Sequence, residues 1–318
     1  MKPTEIKFPK TLLEATKLFS NEENAWLFAV NLRWPNGPVC SVCGGKDHSF
    51  ISTRKTWQCK TCSKQFSIKK GSIFEDSPLP LEKWLIGMWL ICNAKNGISS
   101  YEIHRSLGIT QKSAWFLLHR IRLAMANGSI EKLGGHVEAD ETYIGPKAKN
   151  MHKSAKKEVH SLGGGMGKVI VMGFMERGGD VKTKIIAQTH TKAISAEVLG
   201  NVEKGSILYT DALASYRNMG EFFKHYVIDH AVSYVDGFTH TNNMECYWSL
   251  LKRTLRGTYI SVEPFHMHAY LDEQAFRFNE RRLNDGQRFV SLTSQVAGKR
   301  ITYKQLTGKW LAAAGIAR

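Results

Sequence analysis

No stretch of this 318-residue sequence approaches the run of about 18 consecutive apolar residues that a membrane-spanning helix needs. The longest apolar runs, residues 85–92 and 310–317, have the length of core helices. The first residues are charged and lack the apolar segment of an export signal, so a reducing cytoplasm is the expected compartment. No heptad repeat marks an oligomer interface. Acids are scarce: 28 Asp and Glu stand against 44 Lys and Arg, a formal charge of +16. That imbalance favours a polyanionic partner, nucleic acid first and an acidic membrane surface second. With a hydrophobic content of 42% most of the chain is expected to fold, and the length allows two or three compact units.

Cysteine is sparse as well, at six residues, but four of them fall in two tight pairs. Cys40 and Cys43 form "CSVC", Cys59 and Cys62 form "CKTC", and fifteen residues lie between the pairs. In a reducing compartment such pairs suggest metal rather than disulfides. Each two-residue gap lets a tight turn aim two thiolates at one ion, and two turns close a structural tetrahedral zinc site. Short strands are expected at "HSFISTRKTWQCK" and "QFSIKKG", completing a zinc ribbon. Cys92 and Cys246 stand alone and read as buried small apolar residues.

After the ribbon, Leu81, Trp84, Leu85, Met88 and Trp89 recur at helical spacing. The next segment predicts a short helix capped by Ser99 or Ser100, a turn at Gly108, and a second helix capped by Thr110. Two helices joined by a glycine turn give a helix-turn-helix pattern, in which Gln111, Lys112 and Ser113 would face DNA. An ordinary helical hairpin has the same signature.

In the second half, "GGHVEADETYIG" reads as a strand carrying Asp140. A basic, Gly-rich loop follows, then a strand, a Gly-Gly turn and another strand within residues 168–189. A short helix and the strand "ILYTDALASY" deliver Asp211, and a helix carries Glu245. This order is that of a ribonuclease-H-like fold, in which carboxylates from two strands and a helix converge. Three such groups can hold Mg²⁺ or Mn²⁺ through oxygen, and the cations offset the repulsion among the acids. The fold expected for the whole chain is multidomain α+β. It comprises an N-terminal helical segment (1–35), a zinc ribbon (36–71), a helix-turn-helix-like middle (72–130), a ribonuclease-H-like α/β catalytic domain (131–290) and a basic tail (291–318).

Across nearly its whole length the sequence resembles bacterial insertion-sequence transposases of the ISXO-two-like (insertion sequence fifteen-ninety-five) family. The strings that carry the resemblance are "CSVCGG", "WQCKTCSKQFSIKKGSIFEDSPLPLEKW", "GISSYEIHRSLGITQKSAWFLLHRIR", "VEADETYIGPK", "YTDALASY" and the segment beginning "HTNNMECYWSLLKRTLRGTY". The resemblance implies an enzyme of the DDE type that binds terminal inverted repeats, cuts the element's ends and joins the freed 3′-hydroxyls to target DNA. It implies double-stranded DNA as partner, a homo-oligomer on that DNA, a nucleoid-associated location and no membrane. Asp140 and Asp211 match the first two catalytic acids. For the third position the family pattern admits Asn or Glu, and "HTNNME" offers Asn242 and Glu245.

Helical geometry places Asn242, Glu245, Ser249 and Lys252 on one polar face, with Met244, Tyr247, Leu251 and Leu255 opposite. An ionised carboxylate binds a hard divalent cation better than an amide oxygen, which favours Glu245 as the ligand and leaves Asn242 the alternative. Lys252 is expected at the DNA phosphate near the cut, with Arg253 and Arg256 adding phosphate contacts. Two other readings stay open: a DNA-binding regulator that does not cut, and a nuclease of the same fold that hydrolyses without joining.

Overall fold

The computed structural model describes residues 8–126, 131–145, 168–228 and 240–308, and the chain is mixed α/β. It divides into two units, one formed by residues 1–126 with 280–318 and the other by residues 127–279. Among the described residues, no helix is long and apolar enough to cross a membrane.

The first unit opens with α1 (Leu12–Phe19) and α2 (Glu22–Arg33). Their starts are set by Thr11 and Asn21, whose side chains accept the first free backbone N–H groups. Three short antiparallel strands follow: β1 (His48–Ile51), β2 (Thr56–Cys59) and β3 (Gln65–Phe66). So small a sheet cannot bury much on its own. Trp57 fills the gap, stacking on Trp26 of α2 at 5.6 Å and on Phe66 at 5.8 Å.

Next come α3 (Leu81–Asn93), α4 (Ser100–Leu107) and α5 (Gln111–Met125). Ser99 and Glu102 form a reciprocal cap at the start of α4. Gly108 ends that helix with φ 59°, a left-handed conformation that suits glycine, and Thr110 caps α5.

The second unit is built on a five-stranded sheet. Its strands are β4 (His136–Ile144), β5 (Val169–Glu176), β6 (Val181–Ile186), β7 (Ile207–Asp211) and β8 (Lys224–Ile228), in spatial order β6-β5-β4-β7-β8. The β5–β6 hairpin runs antiparallel to its neighbours, whereas β7 and β8 run parallel to β4. Helix α6 (Thr191–Asn201) crosses from β6 to β7.

Alternation along β4 sorts its side chains between the two faces. Val137 and Ala139 join Met172, Phe174, Ile194 and Val198 in a core on the α6 side. On the other face lie α7 (Asn242–Thr254) and α8 (Met267–Asn279), where Ile144, Val171 and Met175 pack with Met244, Tyr247, Trp248 and Leu251. The inward set read from the sequence, Met244, Tyr247, Leu251 and Leu255, is buried. The Gly-rich loop expected after β4 falls largely on residues 146–167, outside the described residues.

The chain returns to the first unit at Glu280, and α9 (Asp285–Ser294) packs there. Phe289 of α9 lies 5.7 Å from Phe28, 5.8 Å from Phe19 and 5.1 Å from Trp89. These contacts tie residues 285–294, expected partly in the catalytic domain and partly in a tail, to the N-terminal helices.

Candidate functional site

The two cysteine pairs meet in the first unit. Their four Sγ atoms all lie within 4.8 Å of one another, with Cys40–Cys62 at 3.8 Å and Cys43–Cys59 at 3.6 Å. Tight turns bring them there. Gly44 takes φ 76°, and the Gly44 N–H donates to the Cys40 carbonyl at 2.9 Å. The separations are far beyond a disulfide bond. They match the edge of about 3.8 Å that a tetrahedron with zinc–sulfur bonds of about 2.3 Å has. The thiols share protons unevenly: Cys59 is held down to about 6, chiefly by the backbone N–H of Cys62, whereas Cys43 is pushed up to about 12, against the Gly45 backbone N–H, by the neighbouring cysteine side chains and by burial. This donor set fits a structural zinc ion.

The acids meet in the second unit. The parallel register pairs His136 with Ile207, Val137 with Leu208 and Glu138 with Tyr209. Two residues further along each strand, just past the last registered pair, stand Asp140 and Asp211, close enough for their charges to interact. Glu245 comes from the first turn of α7, which packs on the face to which Asp140 points. A cleft of about 580 Å³ is lined by Asp140, Glu141, Thr142, Glu245, Trp248, Ser249, Lys252, Arg253 and Arg256. Asp211 sits beside it and accepts from the Leu213 N–H at 3.1 Å.

Burial pushes the Asp140 carboxyl up to about 6, and the negative charges of Asp211 and Glu245 push the same way. The Trp248 indole N–H donates to Asp140 Oδ2 at 2.8 Å and opposes the rise. Glu141 is pushed up to about 7, again by burial first, with Asp211 and Asp140 adding to it. Its Oε2 accepts from the Tyr216 hydroxyl at 2.8 Å. Lys252 is partly buried; burial and the neighbouring Arg256 lower its proton affinity, while Asp140 raises it. Acids that resist shared ionisation beside a row of cations make a site suited to a divalent cation and a phosphate. The acids are not gathered as tightly as the four thiols.

Two functional positions escape a reading of the sequence alone. Glu138 is fully buried on the same face of β4 as Asp140. Its carboxylate accepts from the backbone N–H groups of Asn243 and Met244 at 3.1 Å, from the Asn243 side chain at 2.7 Å and from Arg177 Nε at 2.9 Å. Thr241, at the N-cap, makes no side-chain cap bond, so Glu138 caps α7 from the neighbouring strand. Arg177 is itself held over the Tyr209 ring at 3.7 Å and donates to the His240 carbonyl at 2.6 Å. Trp248 is the other. Its ring lies against Gly173, the antiparallel partner of Asp140, where a Cβ would stand 2.7 Å from the indole. The signal for Glu138 was its spacing of two from Asp140, which puts both on one strand face.

The remaining positions are placed as follows. Asn242 is exposed at the first residue of α7 and does not line the cleft. Gln111 turns back to donate to Ser100 Oγ at 3.0 Å, Lys112 is exposed over the Tyr303 ring at 4.9 Å, and Ser113 bonds the capping Thr110. Cys92 is buried as expected, but Cys246 is exposed, because it falls on the outer side of α7.

Comparison with known proteins agrees with this arrangement of a cysteine ribbon followed by an acidic α/β unit. Residues 20–65 match the transposase zinc-ribbon domain and residues 132–279 match the ISXO2-like transposase domain. The chain is also 25% identical over 252 residues to an uncharacterized protein in transposable element ISH50 of Halobacterium salinarum, covering 75% of this chain and 85% of that one. The chain thus carries, in one polypeptide, a region similar to the transposase zinc-ribbon domain and a region similar to the ISXO2-like transposase domain.

Proposed function

We propose that the chain is a DDE-type DNA transposase that binds the ends of its insertion sequence, cuts them with a divalent metal and transfers the 3′-hydroxyls to target DNA. The observation that carries this reading is the placement of Asp140 and Asp211 each two residues beyond the last registered pair of adjacent parallel strands, with Glu245 entering from the first turn of α7 and lining the cleft with Asp140. A hairpin, β4 and two parallel strands with helices on both faces support a ribonuclease-H-like assignment for this sheet. Asp140, Asp211 and Glu245 would hold Mg²⁺ or Mn²⁺. Such cations would activate the attacking oxygen and stabilise the leaving one at the scissile phosphate.

The chain's own groups do the rest. Lys252 and Arg256 line the same cleft and would hold the phosphate oxygens. Trp248 donates to the Asp140 carboxylate and fixes its orientation at the edge of the cleft. In the first step water attacks phosphorus and the P–O3′ bond breaks, leaving a 3′-hydroxyl. In the second that oxygen attacks a target phosphodiester, so one bond forms as another breaks. We assign α4, the Gly108 turn and α5 to DNA binding as a helix-turn-helix, with Lys112 exposed at the front of α5. Two DNA ends must meet for joining, which implies more than one copy of the chain on the DNA.

The test is incubation of purified protein with end DNA, target DNA and Mg²⁺ or Mn²⁺. Strand cleavage and joined products are expected, and Asp140→Ala or Asp211→Ala should abolish both. Full cleavage by either variant would refute the assignment. Cleavage without joined product would identify a nuclease instead. DNA binding without any metal-dependent cleavage would identify a regulator.

A further inference from the structure

Helix α7 does not end cleanly. After Thr254 it widens into a π-helical turn, Leu255–Tyr259, and the next residue, Ile260, has φ 64° and ψ −59°. The Ser261 N–H donates to the Tyr259 carbonyl at 2.6 Å, which closes a three-residue turn around Ile260. These angles define the rare, strained form of that turn, and a β-branched residue is among the poorest choices for its centre. Glycine, with no Cβ, would relieve the strain.

The surroundings hold the turn in place. Tyr259 donates to Glu273 at 2.5 Å and packs edge-on against Tyr270 at 4.7 Å, and Leu255 is buried. What the turn displays is apolar. Ile260 is 76% exposed, the most exposed of the large apolar side chains among the described residues. Folding alone gives no reason to strain the backbone in order to put isoleucine in water.

Its position supplies one. Ile260 and the exposed Tyr143 line a hollow of about 460 Å³. Lys252 and Arg256 line both this hollow and the cleft that holds Asp140 and Glu245. A phosphate held by these two cations would have the carboxylates on one side and the hollow on the other. Glu263 on the hollow's wall would repel a phosphate but could accept from a base N–H. The hollow therefore suits a nucleobase rather than the sugar–phosphate chain.

We propose that Ile260 is a wedge that enters the base stack beside the scissile phosphate, and that the displaced base lodges in the hollow against Tyr143. Apolar side chains inserted between base steps unstack them, and aromatic rings receive unstacked bases. The proposal rests on the reading of the chain as an enzyme that cuts DNA ends. It adds the deformation that exposes the bond.

The test uses the full chain and duplexes of the element's terminal sequence, with 2-aminopurine placed in turn at each position around the end. No Mg²⁺ or Mn²⁺ is added, so the strands stay intact. The wild-type protein should raise the fluorescence at one or two adjacent positions. Ile260→Ala and Ile260→Gly should return it to the free-duplex level while anisotropy still shows binding within roughly fivefold of wild type, because phosphate contacts supply most of the affinity. Ile260→Gly relieves the turn, so loss of folding does not confound it. With Mn²⁺ added, an unpaired or abasic nucleotide at the responsive position should restore cleavage by Ile260→Ala.

The wedge is overturned if both variants keep the fluorescence rise, or if wild type binds without a rise at any position. Failure of the transposase reading looks different: Asp140→Ala would then cut as well as wild type.

Discussion

Asp140 and Glu141 are carboxylates raised first by burial and then by neighbouring charge, that of Asp211 acting on both, and the sign of that shift has a consequence for stability. Their native pKa values, about 6 and about 7, lie above the ordinary range of about 4, so between those limits the native state binds more protons than the unfolded chain. Their contribution to stability therefore falls as pH rises through that window. A divalent cation bound to the ionised acids should offset the loss above it. Melting curves with and without Mn²⁺ should show a larger rise in Tm at pH 7.5 than at pH 5, and equal shifts at both would remove the cation from this site. Glu138 belongs to the same scale. Glu138→Ala leaves Arg177 and two helix N–H groups without their carboxylate and should cost about 3 kcal/mol, the usual loss when half of a buried pair is removed. Glu138→Gln keeps an acceptor and should recover part of it. Urea unfolding of both variants checks this, with equal losses counting against the cap.

At the scale of elements, α7 is positioned by three devices: its apolar face, the Glu138 cap and the Trp248–Gly173 contact. Gly173→Val would drive its side chain into the Met244 methyl and the Trp248 ring, and shift the indole from Asp140. Cleavage should fall at least about tenfold while the zinc ribbon, in the other unit, keeps its metal, since misplacement of a reacting group by about 1 Å is that costly. Single-turnover rates and zinc content separate the two effects. Much of this architecture was legible in the sequence. The C-x-x-C pairs, the β5–β6 hairpin and the strand-end acids carry strong local signals. The apolar seam of α7 follows from helical period alone. Trp248 lies at the edge of that seam, so its hold on Asp140 depended on a glycine in another strand, which no local pattern shows. Strand β8 and α9 were missed for a similar reason. Lys224–Ile228 is half exposed and lacks a clean alternation, and Phe289 finds its partners, Phe19 and Phe28, more than 250 residues earlier in the chain.

The ribbon makes a prediction for a whole unit. Its sheet has three strands of two to four residues, too little to persist without its staple. Protein purified without added metal should carry close to one zinc per chain, and Cys59→Ser should lose it together with the stacking of Trp57, read as a change in tryptophan fluorescence. Retention of the native spectrum in a metal-free protein would show that the aromatic packing suffices.

The formal charge of +16 acts on the molecule as a whole, and it predicts how DNA binding responds to salt. Neutralised phosphates release counterions, so the logarithm of affinity falls linearly with the logarithm of salt, by about 0.9 per contact. If the basic groups of both units engage one end, affinity should drop by at least about 10³-fold between 50 and 200 mM salt. Lys252→Ala and Arg256→Ala, each removing one cation beside the carboxylates, should lower the slope by about 1 and weaken all sequences alike. Changes at Gln111, Lys112 or Ser113 should alter the preference for end DNA over unrelated duplex. Should Lys252→Ala leave the slope unchanged, the cleft would not be where the backbone lies, and the Asp140–Asp211–Glu245 arrangement would have to reach its phosphate from another direction.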